Sequence, residues 1–181
     1  MAFAGNVDEL ALLQAVRLKE QVSATVLAEH LGVGASSAQA AYDALISQGK
    51  AKEVASGQIG LTDAGRSELE AQLDAERVSI DEDSIAEVYE SFVPFHEEFV
   101  ALIDDADADR LTDLDRRASA VFDDLSAFVP RLSRYQDLFA DALAKIAAGE
   151  TRWISEPVVD SYATVWNELR RELLGAAGTP V

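Results

Sequence analysis

The chain has 181 residues, 49% of them hydrophobic, enough for one substantial domain or two small ones that each bury a core. Its net charge is −18, the wrong sign for a protein that holds a polyanion by general electrostatics, and its lack of cysteine excludes disulfide and thiol chemistry. The acid is concentrated: residues 1–80 carry 6 basic and 11 acidic side chains, whereas residues 81–181 carry 9 and 22.

In chain order, the first predicted helix covers residues 7–19. Asn6 is its expected N-cap, Asp8 and Glu9 lie in its first turn, and Leu10, Leu13 and Val16 trace its apolar face. A short amphipathic helix follows, opened by Ser23 and closed at Gly32, where freedom at positive φ suits a sharp turn. The next helix carries Ala38, Tyr42 and Leu45 at helical spacing and stops at Gly49. Two strand-like segments, K-A-K-E-V and Q-I-G-L-T, flank the turn-forming group Ala55-Ser56-Gly57. Residues 63–77 then read as a helix with Leu69 and Leu73 inward, and the charged run Asp81-Glu82-Asp83 is a natural domain boundary.

The second half shows four helix patterns and no convincing strand. The first has Ile85, Val88, Tyr89, Phe92, Phe99 and Ile103 at i, i+3, i+4 spacing, and Pro94 predicts a kink or break near Phe92. The second runs from Leu111 to Phe128 and ends near Pro130. The third runs from Leu132 to Ile146, with Gly149 as its stop. The fourth is expected to begin near Pro157 and to carry Tyr162, Val165, Trp166, Leu169 and Leu173 inward. Short loops between four amphipathic helices favour an antiparallel bundle.

The order helix, helix, two-stranded wing, helix across residues 22–66 resembles the winged helix-turn-helix of bacterial regulators, most closely the MarR-like group. The segment from Thr151 to Leu174 is similar to the C-terminal helix of actinobacterial winged-helix proteins with helical second domains. The predicted fold is therefore mainly α. A winged helix-turn-helix with a two-stranded β-wing over 1–80 is followed by a four-helix dimerisation or ligand-sensing domain over 81–177 and a flexible tail over 178–181.

The resemblance implies a regulator that binds operator DNA as a dimer. The residues available for it are Ser36, Ser37 and Gln39 on the recognition helix, Lys50 and Lys52 at the first strand of the wing, and Arg66 beyond it. Three cations per subunit would give about six phosphate contacts in a dimer. The same groups serve equally as ordinary solvated lysines and a helix-start arginine. Alanines at 35, 40 and 44 and the carboxylate of Asp43 stand where such helices commonly carry cations. The alternative is a protein-interaction or regulatory subunit that keeps the scaffold without DNA binding.

His96 lies among aromatic positions, with Tyr162 and Trp166 on the inward stripe of the last helix and Asp160 at its edge. These residues suggest a small-molecule effector pocket with polar groups in an aromatic wall, or a core histidine satisfied by a tyrosine or carboxylate. Two histidines without ligand spacing give no metal site. No nucleophile motif, phosphate-cradling glycine loop or nucleotide fingerprint is present, so neither an enzyme nor a cofactor is expected. The N-terminal decapeptide has no positive n-region or apolar h-region, and no run reaches the roughly 18 apolar residues of a membrane span. A cytoplasmic protein without a membrane partner is the expectation.

Overall fold

The computed structural model describes residues 3–178 and is mainly helical, with one two-stranded antiparallel sheet. The chain divides into two compact units, Met1–Val78 and Ser79–Val181. Among the described residues no helix is long and apolar enough to cross a membrane. The expected flexible tail at 178–181 lies outside them apart from Gly178.

The first unit opens with a 3-10 turn, Ala4–Asn6, and the helix α1, Glu9–Lys19. The cap of α1 is Asp8 rather than Asn6, because the Asp8 carboxylate accepts the Ala11 amide at 2.7 Å while Asn6 sits at φ 57° in the preceding turn. Next comes α2, Ala24–Leu31, where Ser23 Oγ accepts the Val26 amide at 3.3 Å and Gly32 closes the helix in the left-handed region at φ 65°. After a turn at 32–34, α3 runs over Ala35–Ser47 and packs against α2. The strands β1, Ala51–Ala55, and β2, Gln58–Leu61, pair antiparallel with a register irregularity between Glu53 and Ala55. α4, Asp63–Val78, completes the unit.

A two-stranded ribbon is marginal alone, and two devices anchor this one. Val22, immediately before α2, exchanges both backbone hydrogen bonds with Ile59 of β2, at 3.1 and 2.9 Å. Ile59 and Leu61 also enter the core formed by Leu12, Leu13, Val16, Leu27, Leu45 and Leu69. Beyond Ala51 every residue of β1, Lys52 to Ala55, is exposed, so the anchorage comes from β2.

The second unit has four long helices: α5, Glu82–Ile103; α6, Ala108–Phe128; α7, Arg134–Ala147; and α9, Tyr162–Ala176. A one-turn helix, α8, Arg152–Ser155, lies between the last two, and a 3-10 turn, Pro130–Ser133, leads into α7. Two expectations are corrected here. Of the kink or break expected near Phe92, the break does not occur: α5 continues through Pro94, with Phe92 and Phe99 on either side of the proline both buried in the core. The last helix starts at Tyr162, not near Pro157, because Ser161 caps it by accepting the Thr164 amide at 3.3 Å. Asp81 caps α5 in the same way, accepting the Ser84 amide at 2.8 Å.

Candidate recognition surface

The exposed side of α3 presents Ser36, Gln39, Ala40 and Asp43, while Ala38, Ala41, Tyr42 and Leu45 face the core. Gln39 is turned along the helix, its amide nitrogen donating to Asp43 Oδ1 at 2.9 Å. An i, i+4 pair of this kind supports the helix and occupies the group best suited to read a base edge. Ser37 is half-buried beside the N-terminal 3-10 turn. Gly5 approaches so closely that an added Cβ would lie 2.4 Å from the Ser37 carbonyl oxygen.

The three cations expected near the wing meet different fates. Lys50 is half-buried: its ammonium is paired with Glu9, lies 4.0 Å from Glu68 and sits 5.8 Å from the centroid of the Phe3 ring. It ties α1 and α4 to the start of β1 and presents no free charge to a partner. Arg66 pairs with Asp63 at 3.4 Å, one helical turn away, and stays 58% exposed. Lys52 is exposed on β1. At the hairpin tip the Gly57 amide donates to Glu53 Oε1 at 3.0 Å, so the turn is closed by a carboxylate. Sequence alone does not reveal this contact, because Glu53 lies on a strand and folds back over the turn.

In the second unit His96, Tyr162 and Trp166 do come together, within one aromatic core. Trp166 stacks on Phe99 with centroids 4.7 Å apart and on Phe92 at 5.2 Å, and Tyr162 meets Phe139 at 4.8 Å. Tyr162 and Trp166 are both at 0% exposure, so every face of the two rings is already in contact with protein. Trp166 Nε1 donates to His96 Nδ1 at 3.1 Å. That bond fixes the neutral tautomer with its proton on Nε2. Burial pushes the imidazole below its ordinary range, Arg170 adds to the effect and Glu97 opposes it. The partner of the histidine is therefore a tryptophan rather than the tyrosine or carboxylate considered from sequence.

Tyr162 donates instead to Asp115 Oδ1 at 2.8 Å. Burial raises the Asp115 carboxyl, and the bond from Tyr162 offsets part of that. Asp115 follows Leu114 on the inward flank of α6, and that position is the only sequence signal for its role. A second polar group joins Arg131, Tyr135 and Glu172. Arg131 Nη2 contacts Glu172 Oε2 at 2.8 Å with both side chains largely buried, and the Tyr135 hydroxyl donates to Oε1 at 3.4 Å. Burial is the main cause of the raised Tyr135 hydroxyl, with Glu172 and Glu168 adding to it. Asp160, itself buried, adds to the field at Tyr135.

The burial of His96 makes stability depend on pH. Because the folded imidazole has a lowered affinity for protons, the unfolded chain binds protons more readily, so stability is full above about pH 7. It falls as the pH drops from the ordinary histidine value of 6.5 toward the folded one. Thermal melts between pH 8 and pH 5.5 are expected to show a falling midpoint, and His96→Gln, which keeps an acceptor but does not titrate there, should flatten that slope. An unchanged slope in the variant would assign the dependence to other groups. Asp115 has the opposite sense, since its raised carboxyl favours the folded state as acid is added.

Comparison of the chain with known protein families, with curated proteins and with solved structures gives no match.

Proposed function

We propose that the first unit is a winged helix-turn-helix module of MarR-like type, in which α2 and α3 form the helix pair and the hairpin is the wing. In this reading it is a regulatory module that engages a protein partner through α3 rather than DNA. The observation that carries the choice is the exposed face of α3: Ser36, Gln39, Ala40 and Asp43 include no cation, and Gln39 is engaged by Asp43. A recognition helix in the major groove draws much of its affinity from phosphate contacts and its specificity from donors aimed at base edges. Lys50 is neutralised by Glu9 and Glu68, and the wing tip carries Glu53.

A second reading, a dimeric DNA-binding regulator whose helical half dimerises, is favoured by the order of elements and by the two exposed cations Lys52 and Arg66. Two cations per subunit amount to about four phosphate contacts in a dimer, for which affinity would fall on the order of a hundredfold between about 50 and 200 mM salt. Electrophoretic mobility shift of the full chain on the DNA upstream of its own gene, at both salt concentrations, separates the readings. No shift at low salt is the expected result. A shift that salt abolishes, and that Lys52→Ala with Arg66→Ala weakens, would overturn the protein-partner reading in favour of the dimeric regulator.

A further inference from the structure

The acidic side chains of the second unit are not treated alike. Toward the end of α5 and the start of α6 they are neutralised internally. Arg117 holds Glu98 through both carboxylate oxygens and also Asp113, and Arg110 meets Asp105 at 3.3 Å. At the opposite ends of the same two helices the pattern reverses. A shallow depression of about 250 Å³ opens there, lined by Ser84, Glu87, Val88 and Ser91 of α5 and by Asp124 and Phe128 of α6. No arginine or lysine is among these residues, and neither Glu87 nor Asp124 has an ion-pair partner among the described residues. Phe128, a large aromatic side chain, is left 39% exposed.

We propose that this depression is a docking site for a lysine or arginine side chain on a basic segment of a partner protein. The cationic head would sit between Glu87 and Asp124, and the aliphatic stem would lie on Phe128 and Val88. Each part of the surface matches one part of that side chain. Carboxylates from two different helices give a charged head acceptors on two sides, which a single carboxylate cannot do. Long basic side chains carry an apolar stem that covers hydrophobic surface while the head remains polar, and an aromatic face attracts the cation as well. The excess of 22 acidic over 9 basic side chains in residues 81–181 adds long-range attraction for a basic segment and repels acidic ones. This surface does not involve α3, and the inference holds whichever partner α3 takes.

General attraction between a basic peptide and an acidic protein must be separated from occupancy of the site, so the controls are matched in charge. A fluorescein-labelled decapeptide of alternating lysine and alanine is titrated into the full chain and followed by anisotropy. Glu87→Gln with Asp124→Asn is expected to weaken binding by about fivefold or more. Asp141→Asn with Glu156→Gln, the same change in net charge at other exposed positions, should weaken it less than about twofold. Phe128→Ala should weaken binding with no change in charge. Equal weakening by the two charge-matched pairs would overturn the proposal and leave only diffuse attraction. Glu87 and Asp124 are exposed, so the site variant keeps its fold, which a thermal melt verifies, and it carries the test even if Phe128→Ala is destabilised.

Discussion

Replacing Gly65 with alanine is expected to unfold the first unit. Gly65 lies in the first turn of α4, where a Cβ would fall 1.9 Å from the backbone carbonyl oxygen of Lys50 and 3.3 Å from Leu61 Cδ2. The oxygen belongs to backbone that is itself fixed. The Lys50 carbonyl accepts the Thr62 amide at 3.0 Å, while Thr62 Oγ1 donates to the Gly49 carbonyl at 2.6 Å and accepts the Gly65 amide at 3.1 Å. No rotamer change relieves such a clash, so the joint between β1 and α4 must open. In an exposed helix the same substitution would stabilise by up to about 1 kcal/mol through helix propensity. Here the steric cost is set against that gain, and a net loss of about 3 kcal/mol or more is expected. Thermal denaturation followed by circular dichroism measures it. Gly175→Ala in α9, where a Cβ meets nothing within 4 Å, is the matched control and should be neutral or mildly stabilising. A Gly65→Ala protein that melts at the wild-type temperature would mean that the joint can spread freely.

Trp166→Ala is expected to have a comparable effect on the second unit. Trp166 is fully buried and its indole contacts the rings of Phe92, Phe99, Phe122, Phe139 and Tyr162, drawn from all four long helices. Truncation removes the largest side chain of that core and leaves a cavity at its centre, for which a loss of about 3–5 kcal/mol is typical. The variant also deprives His96 Nδ1 of its donor. Trp166→Phe separates the two contributions, since it retains an aromatic ring but no N–H, and should cost less than the alanine variant while weakening the dependence on pH described above. Urea denaturation gives both values. If alanine cost no more than phenylalanine, the core would be collapsing around the gap and the ring would not be its keystone.

Much of the architecture is legible in the sequence because it is written in local chemistry. Ser23 and Gly32 bound α2 through a cap and a left-handed turn that need no distant residue, and Ser56-Gly57 sets the hairpin. The apolar stripes of α5, α6, α7 and α9 match the buried residues of the second core, apart from Phe128 at the end of α6, which is exposed. What sequence does not reveal is tertiary. Asp8 displaces Asn6 as a cap because the 3-10 turn draws Asn6 into positive φ. The helix through Pro94 persists, with flanking aromatics buried in its core.

The candidate surface was less legible for the same reason. Whether Lys50 is a free cation depends on Glu9, 41 residues away, and the role of Asp115 depends on Tyr162, 47 residues away. Residue type identifies Ser36, Gln39 and Lys52 as candidates, but only the fold decides which donors are already occupied.

The bridge between Val22 and Ile59 gives the hairpin a mechanical role. The hairpin is clamped to the chain at the entry of α2, which opposes its swinging as an independent finger. Any load placed on its tip passes through two hydrogen bonds into the start of the helix pair, and a partner that grips the ribbon thereby pulls on α2 as well.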